Sequence, residues 1–142
     1  MDKKIPKLIG VTNRPTIIVG EKPNKTRMPT IHALIGNLTG DFVEEAIEGK
    51  TNLILTNVVN VLYHGRFDNT YLGDGLLELL HLFETHQPKQ VICLGGIAQK
   101  WVASIWRPSD CALVNLPHPS WVNRFRNKDR IDYVQALKNC IP

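Results

Sequence analysis

The 142-residue chain carries 17 Lys and Arg against 13 Asp and Glu, a formal net charge of +4, with 43% apolar and 21% charged residues. That is the balance of one globular domain with an ordinary core, expected to span residues 1–142. It excludes a low-complexity chain, and no apolar run reaches the roughly 20 residues of a membrane-crossing helix.

In chain order, the start MDKKIPKLIG is basic but lacks the long apolar core and small-residue cleavage site of a secretory signal, so a cytoplasmic protein is expected. TIIVG (16–20) reads as a buried strand, followed by GEKPNKTR, where Gly20 and Pro23 predict a tight turn with Glu21 near its apex. IHALIGNLTGDFVEEAIEG (31–49) predicts two helices broken near Gly40, with Asp41 capping the second. LILTNVV (53–59) reads as a second strand, and HGRFDNTYLG (64–73) as a long exposed loop. GDGLLELLHLFETH (73–86) predicts a helix with a wide buried face made of Leu76, Leu77, Leu79, Leu80, Leu82 and Phe83.

QVICL (90–94) is a third strand. Gly95–Gly96 then forms a strand–helix turn with close packing, since no GK[ST] follows to make a phosphate loop. A helix over 97–106 stops before Pro108, and at least one of Trp101 and Trp106 belongs to the core. ALVNL (112–116) is the fourth strand. A last helix over roughly 127–139 turns Ile131, Val134, Leu137 and Ala136 inward. Apolar strands without polar alternation, separated by helices, predict an α/β fold: a three-layer α/β/α sandwich around a central, mostly parallel, roughly four-stranded sheet.

Charge and cysteine placement add two expectations. Residues 1–30 hold seven Lys/Arg and residues 121–142 five, whereas 31–120 hold five against nine acids. If the fold brings the two ends together, one face becomes a footprint for a polyanion. Cys93, Cys111 and Cys140 form no CxxC and have no His at zinc-finger spacing, so neither disulfide nor metal is expected, and Cys93 reads as a small core residue.

Three strand ends carry polar side chains at the edge where open α/β sheets place ligand chemistry. The first offers Glu21 and Asn24, the second Asn57, and the fourth LPHPSW, where Pro117 and Pro119 stiffen the backbone that presents His118. VGEKPN, ILTNVV, VICLGGIAQKWV and LPHPSW, in that order across residues 16–125, resemble the uracil-DNA glycosylase superfamily. The resemblance implies a central parallel sheet flanked by helices and hydrolysis of an N-glycosidic bond in DNA, without a cofactor. Glu21 stands at the acid of the first motif, acting on the sugar side, and His118 at the HPS histidine, donating to the leaving base. Gly20, Pro23, Asn24, Asn57 and Ser120 would hold the substrate, Asn57 at the amide edge of the base and Ser120 on a phosphate. Trp121 or Val122 would be the wedge into the duplex. Lys22, Lys25, Arg124 and Arg126 would meet phosphates.

The pattern departs from the family at several positions. Asn24 replaces the usual Gly and Lys22 an Ala. No Phe, Tyr or Trp occurs in residues 25–41 to stack on a base, leaving His32 as the nearest substitute. Asn60 and Val61 occupy the place of a cluster-binding KC in the iron–sulfur branch. Two functions follow: a monomeric glycosylase acting on uracil or a modified pyrimidine flipped out of DNA, or a non-catalytic nucleotide-, DNA- or protein-binding module on the same scaffold.

Overall fold

The computed structural model describes residues 3–23, 31–34, 38–61, 69–119 and 129–142. Its elements are β1 (Lys7–Ile9), β2 (Thr16–Gly20), α1 (Leu38–Ile47), β3 (Leu53–Asn57), α2 (Leu72–His86), β4 (Gln90–Leu94), α3 (Gly96–Ile105), β5 (Ala112–Leu116) and α4 (Arg130–Cys140). They form one five-stranded sheet in the order β1-β3-β2-β4-β5. Four strands run parallel, with Gly20 beside Asn57 and Leu94 beside Leu116, while β1 runs antiparallel on the edge beside β3.

Every residue of β2 and β3 is buried, as expected where helices cover both faces of a parallel sheet. Alternation along β2 divides the core in two. Ile18 joins Leu55, Ile92, Phe42 of α1 and Leu137 of α4 on one face. Ile17 and Val19 join Val91, Leu79 and Phe83 of α2, and Val102 of α3 on the other. The three-layer, mostly parallel α/β/α sandwich is therefore present. It has one strand more than expected, because KLI, between Pro6 and Gly10, is too short to show a period.

Helix boundaries depart from the periodicity in informative ways. α1 runs through Gly40 unbroken, with Asp41 in its first turn. Residues 31–34 form no helix: His32 bridges to Ile5, and the Ala33 N–H donates to the Ile5 oxygen at 2.8 Å. α2 begins at Leu72, inside the stretch read as a loop, and its buried stripe is Leu72, Gly75, Leu79 and Phe83; Leu77 is 68% exposed. A side chain on Gly75 would overlap the Val58 carbonyl oxygen, so this glycine lets α2 seat directly on the chain leaving β3. That contact also explains why β3 ends at Asn57. Val58 and Val59 are apolar because they lie buried under the start of α2, not because they extend the strand.

On α4 the buried residues are Tyr133, Val134 and Leu137, while Ile131 is 80% exposed and Ala136 faces outward. Tyr133, Val134 and Leu137 set the inner face of this helix, and Arg130 adds to it by stacking over Phe42 at 4.4 Å. Trp101 and Trp106 both pack against the α2–α3 core, Trp106 with its ring centroid 5.3 Å from that of Phe83. Cys93 is 1% exposed, and burial pushes its thiol up to about 12. No helix among the described residues is long and apolar enough to cross a membrane.

Candidate active site

Because β2 to β5 run parallel, the chain leaves all four at one edge of the sheet. Glu21 follows β2, Asn57 ends β3, Gly95–Gly96 follows β4, and His118 stands two residues beyond β5. Gly95 is the meeting point. It adopts φ +98°, and a methyl group on it would stand 3.0 Å from Glu21 Oε1 and 3.0 Å from His118 Cβ. Only a residue without Cβ leaves room for the carboxylate and the imidazole to close over this turn. The Gly95 N–H donates to the Leu116 oxygen at 2.8 Å, which locks the turn to the end of β5. The close packing expected at Gly95–Gly96 is thus packing against the two chemical groups themselves.

The two side chains face an open cleft of about 520 Å³, also lined by Gly96, Gln99, Asn115 and Pro117. Burial raises the Glu21 carboxyl above its usual range, opposed by the positive charge of Lys22. Burial lowers His118 to about 4, so the imidazole is neutral at pH 7. A neutral imidazole carries one N–H donor and one acceptor nitrogen and no net charge.

Asn57 lies on the other flank of Glu21. It is 1% exposed, and among the described residues neither Oδ1 nor Nδ2 has a hydrogen-bond partner. A methyl group on Gly20 would stand 2.5 Å from Asn57 Oδ1, so Gly20 is the floor on which this amide rests. Past the strand ends two further backbone bonds hold the chains together: the Val58 N–H donates to the Gly20 oxygen at 2.9 Å and the Val59 N–H to the Glu21 oxygen at 3.0 Å. Burying an amide with nothing to bond costs on the order of 1–3 kcal/mol per group.

The structure therefore brings Gly20, Glu21, Asn57 and His118 to one sheet edge, with Pro23 buried and Lys22 half-buried in the turn beside them. Asn24, Lys25, Ser120, Trp121, Val122, Arg124 and Arg126 lie outside the described residues. Gln99 and Asn115 of the cleft escaped the reading of the sequence. Asn115 had a signal, because it interrupts the apolar strand ALVNL near its end as Asn57 does in LILTN. Gln99 sits one turn into α3 and becomes visible only once Gly95 is known to open the cleft. Among the described residues no group of three His, Cys, Asp or Glu is placed to hold a metal ion.

The chain belongs to the uracil DNA glycosylase superfamily, whose family model matches residues 6–139. By class it is a DNA glycosylase, a hydrolase. Among solved structures it is similar to wild-type SMUG2 of Pedobacter heparinus, with a TM-score of 0.56 and 13% identity over 90% of this chain and 74% of that one, a likeness of fold. No curated protein matches the sequence.

Proposed function

We propose that this chain removes uracil or a modified pyrimidine flipped out of DNA, with Glu21 and His118 as the catalytic pair and Asn57 as the reader of the base. One observation carries the reading: a half-buried carboxylate and a neutral imidazole share Gly95, while a buried amide without a partner among the described residues stands one strand away. Water attacks the anomeric carbon, the N-glycosidic bond breaks, and its electron pair leaves with the base as an anion. Glu21 orients that water, accepts its proton and offsets the positive charge growing on the sugar. His118, neutral, donates its N–H to the base oxygen where negative charge collects, which a preorganised donor does without reorganisation. Asn57 supplies one donor and one acceptor, the complement of a pyrimidine amide edge.

Gly20, Pro23 and Asn24 would form the wall of the pocket, Ser120 and the basic residues Lys22, Lys25, Arg124 and Arg126 the phosphate contacts, and Trp121 or Val122 the wedge. The test is incubation with oligonucleotides carrying uracil, hydroxymethyluracil or modified cytosine, followed by alkali cleavage of abasic product. Release of a base that is lost in Glu21→Gln and His118→Ala supports the assignment. No release on any substrate, with DNA or nucleotide binding retained, favours the binding module instead. The lack of an aromatic residue in 25–41 to stack on the base is what keeps that second reading alive.

A further inference from the structure

The sheet stops holding the chain before it reaches His118. β5 is the outermost strand, its last ladder pair is Leu94 with Leu116, and the Leu116 oxygen is taken by the Gly95 N–H. The next carbonyl, that of Pro117, accepts from a side chain on the far side of the core: Tyr133 Oη donates to it at 2.6 Å. Tyr133 lies on the inward stripe of α4, outside every motif that marks the site. Its ring is 6% exposed and meets Phe42 of α1 edge-on, with centroids 5.8 Å apart and planes at 71°. Arg130, stacked over Phe42, also pairs with Glu45 at 3.2 Å, which ties α1 to α4 around that ring. A ring held on these sides has little rotamer freedom, so its hydroxyl is delivered to one point. Burial raises the phenol above its ordinary range, which keeps the proton on the oxygen and the group a donor.

We propose that Tyr133 is a positioning residue for His118: a strut from α4 that fixes the peptide preceding His118, and so the height and direction of the imidazole over Gly95. The geometry stands by itself, whereas its effect on rate rests on the glycosylase reading given above. Proline at 117 sharpens the effect, because its fixed φ leaves the carbonyl as the one backbone group of that residue available for anchoring.

Tyr133→Phe keeps the ring and removes only the donor. The expected result is a fall in kcat of about tenfold, since small misplacements of a catalytic group are costly in rate, with KM for the DNA substrate changed less than about twofold. In a His118→Ala background the same substitution changes nothing further, because the effect passes through His118. Leu137→Ala, on the same helix and wholly buried but without a bond to Pro117, lowers Tm and leaves kcat as it was. Independently of activity, the His118 ring signal in NMR at fixed pH shifts in Tyr133→Phe and stays in place in Leu137→Ala. An unmoved ring signal, an unchanged kcat, or a loss additive with His118→Ala overturns the proposal. If the parent protein releases no base from any oligonucleotide, the glycosylase reading fails and the ring signal alone decides on Tyr133.

Discussion

The two ends of the sheet are built from similar side chains and use them in opposite ways. At the amino ends of the strands, polar groups are spent on neighbouring backbone. Arg14 donates to the oxygens of Gln87 at 3.1 Å, Pro88 at 3.3 Å and Asp110 at 2.6 Å. Asn52 accepts from the Thr12 N–H at 2.8 Å and donates to the Asn13 oxygen at 3.3 Å. Gln90 donates to the Cys140 oxygen at 3.0 Å, and Lys50 to that of Ile141 at 3.1 Å. At the carboxyl ends, Asn57 has no partner among the described residues for either amide atom, and Glu21 and His118 are both shifted by burial. At the amino end the Thr16 hydroxyl is also without a partner among the described residues. An asparagine at one end is a clip; at the other it is a buried amide without a partner among the described residues. Polar groups at the one end brace neighbouring backbone, and the buried amide at the other does not.

That contrast can be broken most forcefully at the carboxyl end. His118→Ala and Glu21→Gln are each expected to lower the rate of base release at least about a hundredfold, with Tm and affinity for undamaged DNA largely kept. Single-turnover assays beside thermal melts check this, and a large loss of Tm would mean the pair is structural. The next effect concerns pH. His118 is held near 4 when folded and returns to about 6.5 when unfolded. The unfolded chain thus binds this proton more readily, and stability is lost as pH falls from about 6.5 to 4, by at most about 3 kcal/mol. Glu21 acts in the opposite sense, since its raised carboxyl takes up a proton more readily when folded and adds stability as pH falls through that value. Urea titrations at pH 7 and 4.5 should show the His118-dependent loss, and His118→Ala should abolish it.

Two smaller effects sharpen the comparison. Arg14→Ala at the amino end should cost about 2 kcal/mol of stability, the scale of charged hydrogen bonds to backbone, and leave the rate of base release unchanged. Asn57→Leu, close to isosteric, should do the reverse. Removing two unsatisfied buried groups should raise stability by about 1 kcal/mol while abolishing base preference, which denaturation and a substrate panel measure together. A destabilised Asn57→Leu would show that the amide is part of the scaffold after all.

How much of this the sequence carries depends on whether the deciding force is local. β2 and β4 are legible to the residue, because strands buried on both faces must be continuous runs of apolar side chains ended by a turn, and β5, though an edge strand, keeps a short apolar run bounded in the same way. β1 is not, since three residues on an edge are fixed by pairing with Leu53–Leu55 and not by their own pattern. The inner face of α4 is legible in Val134 and Leu137 but not at its start, where Phe42, distant in sequence, draws Arg130 over its ring and Ile131 stays outside. At the site, Glu21, Asn57 and His118 announce themselves as polar residues at the ends of apolar strands. The hydrogen bond from Tyr133 to Pro117 cannot be seen that way, because it exists only once α4 has docked.

Strand order also governs how such a chain comes together in time. β2 sits at the centre, yet its partners arrive much later in the sequence: Thr16 pairs with Leu53 on one side and with Gln90 on the other. Nearly all pairing in this sheet is therefore non-local, and loop-closure entropy must be paid before any strand contact repays it, a pattern associated with slow folding, in milliseconds to seconds. Glu21 leaves the ribosome with the first strand of the parallel set but cannot meet His118 until the last one has zipped onto β4. A nascent or partly unfolded chain thus has no assembled cleft, and appearance of the site would mark the end of folding more faithfully than the formation of helices does.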